Sequence, residues 1–234
     1  MDKRILITGA NGYIGKTLYN DLKLKYNVIA LSRQELNVTD LQQVKNYFKD
    51  KYFDVIIHCA VEGGLRLEPE NSSILDSNLK MYYNLLECKN HFNKFFYFGS
   101  GAEKQDTFYG LSKKVLNQSI QGKDNFHNIR IFDVFNENEL ESKFVKTNIR
   151  KYINKEDMEI FVNKYMDFFY MEDFITLIKY CISTDNLPKT IECSYNYSPT
   201  LYDVAQIINE IKDYKVNINI KNWELAPSFN GKFV

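Results

Sequence analysis

The sequence predicts an α/β protein built on a doubly wound parallel sheet. Short apolar runs alternate with segments of helical periodicity through residues 1–135. One run, residues 54–59 (DVIIHC), is apolar on both faces, which is typical of a strand buried inside a parallel sheet. Strands that alternate with helices are joined by right-handed crossovers, and these place helices on both faces of the sheet.

The elements of the first 135 residues follow in strict alternation. The predicted strands are residues 4–8, 27–31, 54–59, 94–99 and 128–134. The predicted helices between them are residues 14–24, 40–49, 71–91 and 108–120. We expect the Thr39 hydroxyl to cap the second helix, since a side-chain oxygen at that position accepts from the first turn.

The pattern changes after residue 135, and residues 136–234 predict a smaller C-terminal α/β lobe. Helices are expected at residues 139–153, 172–182 and 201–211, with strands near Glu159, near Phe168 and at residues 215–220. Because no Pro/Gly-rich linker separates the halves, we expect this lobe to pack onto the first domain.

Composition excludes several functional classes. Thirty basic and thirty acidic residues give no net charge, so nothing indicates a nucleic-acid or membrane partner. The four cysteines form no C-x-x-C pair, which argues against a zinc site or a disulfide framework. The N-terminal residues run directly into a strand and no apolar stretch approaches the ~20 residues of a spanning helix, so we expect a cytoplasmic protein without a signal peptide or a bound metal.

The strongest chemical signal is TGANGYIG at residues 8–15, between the first strand and the first helix. Gly9 permits a tight turn, Gly12 allows backbone N–H groups to approach a pyrophosphate, and Gly15 permits close helix–sheet packing. The helix N-terminus adds partial positive charge. This context predicts a Rossmann-type dinucleotide-binding domain over residues 1–135. The predicted cofactor contacts in the turn are Gly9, Asn11, Gly12, Tyr13, Ile14 and Gly15.

The residues after the second strand decide between NADP and NAD. An acidic residue there binds the ribose 2′-OH of NAD, whereas an arginine accommodates the 2′-phosphate of NADP. Here Ser32 and Arg33 follow the strand, and no acid appears before Glu35. We therefore interpret Arg33 as a phosphate ligand and expect NADP, with NAD as the alternative if Arg33 is only a solvated surface residue.

Tyr109 and Lys113 are the candidate acid–base pair. Spaced four apart on a predicted helix, they lie on one face. An ammonium beside a phenol favours the phenolate, and such a tyrosine can give a proton to a substrate oxygen. Tyr19/Lys23 and Tyr47/Lys51 share this spacing, but only Tyr109/Lys113 begins the helix after the fourth strand, beside the expected ligand crevice.

These motifs resemble those of the extended short-chain dehydrogenase/reductases, the NAD-dependent epimerase/dehydratase family, and within it the GDP-fucose synthase and dTDP-4-dehydrorhamnose reductase groups. The segments that carry the resemblance, in family order, are SRQELNVTD (residues 32–40), FDVIIHCA (53–60), the helix containing Asn78, YGLSK (109–113), MDFFYMEDF (166–174) and TLYDVAQII (200–208). The resemblance implies adenine contacts from Asn37 and Val38, and cofactor contacts from Cys59, Ala60, Asn78, Tyr109 and Lys113. It also implies that residues 136–234 bind the substrate, and that the Asn78 and Tyr109 helices pair two copies into a homodimer.

The family's third catalytic residue is a serine or threonine just after the fourth strand. In YFGSGAE the strict alignment places Gly101 there, with Ser100 one residue early. Ser100 can serve if the loop is shifted, Glu103 or Thr107 can substitute, or the site is impaired. Two other departures are the short connection that places Tyr109 only nine positions after Ser100, and Met166 where the family commonly has an arginine that contacts the substrate diphosphate; Lys164 is the nearest replacement.

Together these features predict an NADP-dependent oxidoreductase that reduces a nucleotide-linked 4-keto-6-deoxy sugar, with Tyr109 as proton donor, Lys113 tuning it and Ser100 orienting the carbonyl. A nucleotide-sugar 4-epimerase that retains NAD is the alternative within the enzymes. A 4,6-dehydratase ranks third, since that group has Asp-Glu where this chain has Ala102 and Glu103. A non-catalytic NADP-binding sensor or scaffold is the alternative from another class.

Overall fold

The computed structural model describes residues 3–64, 69–223 and 226–229 of the chain, the last four by their backbone. Through Ile131 the elements are β1 (Arg4–Thr8), α1 (Tyr13–Leu22), β2 (Asn27–Leu31), α2 (Leu41–Phe48), β3 (Phe53–His58), α3 (Ser72–Leu86), β4 (Phe92–Ser100), α4 (Phe108–Gln121) and β5 (Phe126–Ile131). The remaining elements are β6 (Val134–Phe135), α5 (Phe144–Ile153), β7 (Met158–Ile160), β8 (Lys164–Met166), β9 (Phe169–Tyr170), α6 (Met171–Ser183), β10 (Thr190–Cys193), α7 (Leu201–Asn209), β11 (Ile218–Ile220) and β12 (Ala226–Phe229).

Six strands form the main sheet in the order β2–β1–β3–β4–β5–β10. The pairs β1–β2, β1–β3 and β3–β4 are parallel. The chain leaves β1 for β2 on one side and later places β3 on the other side of β1, so a topological switch point lies between β1 and β3. In open α/β sheets, ligands bind in the crevice at the carboxyl ends of the strands at such a point. The predicted doubly wound, Rossmann-type fold is confirmed.

The chain divides into two compact units. The first contains the described residues up to Arg130 together with Ile175–Ile191, and its core is centred on β1, β3 and β4. The second contains Ile131–Phe174 and the described residues from Glu192 onward. Its core includes Tyr152, Met158 and Ile208. That residues 136–234 act as the substrate lobe stays a prediction.

Several predicted boundaries differ from the observed ones for local reasons. Thr39 does not cap α2: the Asp40 carboxylate accepts from the Gln43 N–H at 3.1 Å, while the Thr39 hydroxyl donates to Asn37. The helix predicted over residues 71–91 is capped by Asn71, ends at Leu86 and is followed by a short 3-10 turn. Strand β10, which completes the main sheet, was not predicted. Over the described residues, no helix has the length and apolar character needed to cross a membrane.

Candidate cofactor and active site

The glycine turn connects β1 to α1 through two positions where a side chain does not fit. Gly9 has φ +72°, and a Cβ there would lie 2.6 Å from the Ala60 nitrogen. A Cβ on Gly15 would lie 2.4 Å from the Gly9 carbonyl oxygen. Gly12 differs, because its φ is −72° and a Cβ would meet only the Gly9 oxygen, at 3.4 Å. The turn therefore presses the start of α1 against the segment that follows β3.

A cavity of about 260 Å³ opens beside this turn. Gly12 is the N-cap of α1, and no side chain of the described residues caps the helix there. Uncapped N–H groups and the helix dipole favour an anion at this end. The predicted cofactor residues that line the cavity are Gly9, Asn11, Gly12, Arg33, Asn37, Val38, Cys59 and Ala60. Its place and lining fit the adenosine and pyrophosphate parts of a dinucleotide.

Other predicted contacts do not line the cavity. Tyr13 and Ile14 begin α1, and Gly15 is buried against the turn. Asn78 is buried on α3 and holds the loop after β3: its Oδ1 accepts from the Glu62 N–H at 2.9 Å and its Nδ2 donates to the Glu62 carbonyl at 3.0 Å. The same Nδ2 donates to the Ser112 hydroxyl on α4 at 3.1 Å. Asn78 thus positions a loop that lines the cavity.

Arg33 is engaged in an ion pair that the sequence did not indicate. Its Nη1 lies 2.8 Å from Oε1 of Glu62, and both residues line the cavity. Glu35 turns back on the end of β2, where its carboxylate accepts from the N–H and the hydroxyl of Ser32, both at 2.8 Å. Those hydrogen bonds lower the pKa of Glu35. Arg33, the predicted phosphate ligand, is therefore paired with the Glu62 carboxylate, and Glu35 places a second carboxylate two residues away in sequence.

Ser100, Tyr109 and Lys113 converge at the end of β4 and the start of α4. The Ser100 hydroxyl lies close enough to the Tyr109 phenol to lower the pKa of Tyr109, and the Ser100 Oγ accepts from the Ala102 N–H at 3.2 Å. Lys113 is 4% exposed. Its Nζ donates to the Phe98 carbonyl at 2.7 Å and lies 5.3 Å from the centre of the Tyr109 ring. The three predicted catalytic side chains form one cluster.

The cluster adjoins the cavity through the loop after β3. A Cβ on Gly64 would lie 3.0 Å from Cζ of Tyr109, so this loop rests on the phenol ring. Cys59, which lines the cavity, is close enough to Lys113 for the ammonium to act on its thiol, although burial raises the pKa of Cys59 overall. His58, beside it on β3, is buried with its Nδ1 2.7 Å from the Thr8 hydroxyl, and desolvation lowers the pKa of His58 to about 3. This histidine is neutral.

The prediction that Lys113 keeps the phenol acidic is wrong for this structure. Burial raises the pKa of Tyr109 to about 12, and the neighbouring Ser100 hydroxyl only partly offsets that rise. Burial also lowers the pKa of Lys113 to about 7. Both shifts have one cause, since desolvation disfavours the charged form of each group. Tyr109 is therefore protonated at neutral pH, which is the state a proton donor needs.

The two alternatives to Ser100 have structural partners of their own. The Glu103 carboxylate is paired with Arg130 at 3.0 Å and accepts from Asn117 at 2.9 Å. The Thr107 hydroxyl caps α4 by accepting from the Gly110 N–H at 3.0 Å. The 3-10 turn from Gly101 to Lys104 carries Glu103, so its ion pair anchors the segment directly after Ser100. The Ser100 hydroxyl lowers the pKa of Tyr109, whereas the Glu103 carboxylate raises it.

Proximity of lysine to tyrosine does not by itself distinguish the site. In the Tyr19/Lys23 and Tyr47/Lys51 pairs the ammonium lies 4.8 and 4.5 Å from the ring centre, closer than in Tyr109/Lys113. The Tyr109/Lys113 pair differs from the other two because Lys113 is buried and because the Ser100 hydroxyl lies beside Tyr109. The described residues contain no group of three or more His, Cys, Asp or Glu side chains placed to hold a metal ion.

The chain is similar to known proteins over most of its length. CDP-abequose synthase of Yersinia pseudotuberculosis is 25% identical over 247 residues, covering 92% of this chain and 87% of the relative. The crystal structure of dTDP-4-dehydrorhamnose reductase from Bacillus anthracis str. Ames in complex with NADP has a TM-score of 0.79 at 20% identity, covering 99% of this chain and 90% of that one. The Bordetella bronchiseptica enzyme WbmG in complex with NAD has a TM-score of 0.79 at 15% identity, with 97% and 86% covered.

The sequence model of one family spans most of the chain. It is described as the NAD dependent epimerase/dehydratase family, and it matches residues 5–194. The match runs from β1 through the glycine turn, the Ser100 segment and the Tyr109 helix to the end of the main sheet. The chain belongs to the NAD dependent epimerase/dehydratase family, and it is an NAD(P)-dependent enzyme.

Proposed function

We propose that this enzyme is an NADP-dependent reductase of a nucleotide-linked 4-keto-6-deoxy sugar. The observation that carries the proposal is the cluster of the Ser100 hydroxyl, the Tyr109 phenol and the Lys113 ammonium, next to the cavity beside the glycine turn. A protonated phenol and a second hydroxyl at one point are what a carbonyl oxygen requires while it gains negative charge.

Each residue of the cluster has one role in the proposal. When bound, NADPH supplies the hydride that reduces the carbonyl carbon. Tyr109 releases its hydroxyl proton to the carbonyl oxygen, so the product is an alcohol and the phenolate is later reprotonated from solvent. Ser100 donates a hydrogen bond to the same oxygen. Lys113 stabilises the transient phenolate electrostatically from behind the ring, where its Nζ is held by the Phe98 carbonyl.

The cavity supplies the cofactor contacts in the proposal. The pyrophosphate is assigned to the N-terminus of α1 and the turn residues Gly9, Asn11, Gly12, Tyr13, Ile14 and Gly15. The adenosine is assigned to Arg33, Asn37 and Val38, with Arg33 binding the 2′-phosphate. Cys59 and Ala60 line the path toward the nicotinamide, and Asn78 holds the loop beside it. All of these residues belong to the first compact unit.

The substrate assignment draws its support from the relatives. The Yersinia relative is named for a CDP-linked sugar and the Bacillus structure for a dTDP-linked 4-dehydro sugar. We assign sugar-nucleotide binding to residues 136–234 by the family resemblance. Lys164 is proposed as a diphosphate ligand in place of the family arginine, since Met166 is buried and apolar. A lysine contributes charge there without the bidentate fork of arginine.

A nucleotide-sugar 4-epimerase with retained NAD is the second candidate. It uses the same Ser100, Tyr109 and Lys113, and it is favoured by one observation: the Arg33 guanidinium is already paired with Glu62. The two candidates differ in whether NADPH is consumed in proportion to product.

The test is a turnover assay with matched variants. Purified protein with NADPH is offered CDP-, GDP-, dTDP- and UDP-linked 4-keto-6-deoxyhexoses, and the loss of nicotinamide absorbance is compared with the alcohol formed. We expect one-to-one consumption with at least one nucleotide, and a fall of about 10²- to 10⁴-fold for Tyr109→Phe. Tyr19→Phe is the control, since Tyr19 belongs to a Tyr/Lys pair outside the site. Epimerised product without net NADPH loss selects the epimerase, and full activity of Tyr109→Phe refutes both.

A further inference from the structure

The ion pair between Arg33 and Glu62 lies in the lining of the cavity that is assigned to the adenosine part of the cofactor. Arg33 follows β2 and Glu62 follows β3, so the pair connects the segments on either side of β1. Both side chains line the cavity together with Gly9 and Gly12. The Arg33 side chain is 72% exposed and that of Glu62 is 33% exposed. The pair is open to solvent, and a ligand can separate it.

Glu62 has a fixed place because its backbone is held on both sides. The Asn78 side chain bonds its N–H and its carbonyl, at 2.9 and 3.0 Å, and Asn78 is itself held by Ser112. Asn78 is buried. Moving this part of the loop away from Arg33 would break both of these hydrogen bonds, which are costly to leave unmade, so the Glu62 backbone stays beside Arg33.

The local charge opposes a phosphate unless Arg33 is released. Glu62 neutralises the guanidinium, and Glu35 adds a second carboxylate at the end of β2. A 2′-phosphate carries more negative charge than either carboxylate and needs the same guanidinium. A 2′-hydroxyl needs no cation and donates to a carboxylate instead.

We infer that Glu62 is a cofactor-discriminating residue, which competes with the 2′-phosphate of NADP for Arg33 and thereby narrows the preference for NADP over NAD. This inference rests on the proposed function for the identity of the ligand. NADP binding replaces the Arg33–Glu62 ion pair by an ion pair between Arg33 and the 2′-phosphate. The binding free energy gained is therefore only the difference between these two ion pairs. NAD binding leaves the Arg33–Glu62 pair in place.

Calorimetric titration of NADP⁺ and NAD⁺, which differ only in the 2′-phosphate, tests this on the full chain without turnover. For Glu62→Gln we expect the Kd of NADP⁺ to fall by about fivefold, the scale of one exposed charge pair, while that of NAD⁺ changes less than about twofold. The gain should shrink at high salt, since exposed charges are screened. Glu87→Gln is the matched control, because it breaks an exposed pair between the C-cap of α3 and Lys45 of α2, neither of which lines the cavity; it should leave both Kd values unchanged.

A double variant separates competition for Arg33 from simple repulsion. In an Arg33→Gln background, Glu62→Gln should give a smaller gain in NADP⁺ affinity than it does in the wild type. The inference is overturned if Glu62→Gln leaves the ratio of the two Kd values unchanged or weakens NADP⁺, or if the gain is the same without Arg33. Turnover decides the proposed function separately: a Glu62 effect on binding with no keto sugar consumed retains this inference and rejects the reductase.

Discussion

The Ser100 hydroxyl lies beside the Tyr109 phenol and lowers its pKa, although the resemblance to the family places the catalytic hydroxyl one residue after Ser100. A 3-10 turn follows Ser100, and the Glu103–Arg130 ion pair anchors this turn. The Tyr109 phenol thus has the Ser100 hydroxyl beside it, although position 101 is a glycine.

Replacing Ser100 should therefore impair chemistry and spare cofactor binding. For Ser100→Ala we expect kcat to fall by about 10²- to 10³-fold, as for loss of one donor to a developing oxyanion, with the Kd of NADP⁺ unchanged. Ser100→Thr keeps a hydroxyl and should retain much of the activity. An active Ser100→Ala enzyme, or equal losses for both variants, would show that another group serves the carbonyl.

The ionisation of Tyr109 gives a spectroscopic prediction. Because burial raises its pKa to about 12, Tyr109 should contribute no phenolate absorbance between pH 7 and 10. The chain has 17 tyrosines, so the readout is the difference between wild type and Tyr109→Phe over that range. We expect no difference for the protein without cofactor. A phenolate absorbance step near neutral pH that the wild type shows and Tyr109→Phe lacks would mean that Lys113 does hold the phenol acidic.

Much of the first unit could be predicted because its signals are local. Residues 4–8 and 27–31 are β-branched or apolar runs bounded by turn residues, and both are strands with those bounds. The strand Thr190–Cys193 escaped prediction because TIEC is short and only partly apolar; its strand conformation comes from pairing with β5 in the main sheet. The cap of α2 is Asp40 and not the predicted Thr39. Both residue types can cap a helix, but the Thr39 hydroxyl donates to the neighbouring Asn37 side chain instead.

The site was predictable in its residues and less so in its electrostatics. The glycine turn and the Tyr109/Lys113 spacing are visible in the sequence, and the structure brings Ser100 to Tyr109. The Arg33–Glu62 pair joins residues 29 apart through two loops, which no sequence period reports. The pKa of Tyr109 depends on burial at the end of β4, so the effect of Lys113 alone, judged from spacing, gave the wrong direction.

Substitution by alanine should have different effects on stability and on NADP⁺ binding at the three glycines of the turn. Gly9→Ala and Gly15→Ala force a Cβ within 2.6 and 2.4 Å of backbone atoms, so each should lower stability by about 1–3 kcal/mol. Gly12→Ala has an allowed φ and ordinary contacts, so its melting temperature should match wild type while NADP⁺ binding weakens, if the pyrophosphate lies against this position. Melting curves and calorimetry check the two readouts; unchanged NADP⁺ affinity in Gly12→Ala would move the pyrophosphate elsewhere.

A buried carboxyl in the second unit gives a pH-dependent stability prediction. Burial and the nearby Asp133 raise the pKa of Glu139 to about 7, against the bonds and charges of Lys143 and Lys146. Its Oε1 accepts from the Lys146 N–H, and its buried Oε2 has no hydrogen-bond partner among the described residues. A raised carboxyl pKa stabilises the fold below about pH 4.5, and this contribution is lost as pH rises through 7.

Glu139→Gln removes that ionisation at nearly constant shape. The melting temperature of the variant relative to wild type should rise between about pH 4.5 and 8, by about 2–4 °C for each kcal/mol involved. Glu137→Gln is the control, because Glu137 is exposed nearby, and it should show no such trend. A difference that is constant with pH would mean that Glu139 does not titrate in this range.

Helices α3 and α4 form the face through which we expect two copies of the chain to pair. These helices pack against each other, and each exposes a large apolar side chain, Tyr83 on α3 and Leu111 on α4. The family resemblance implies that two copies pair these helices into a four-helix bundle. Light scattering at micromolar concentration should give twice the chain mass for wild type and the single chain mass for Leu111→Lys. Leu24→Lys, at an exposed leucine outside both helices, should remain dimeric. A monomeric wild type, or a Leu111→Lys variant that stays dimeric, would refute pairing through this face.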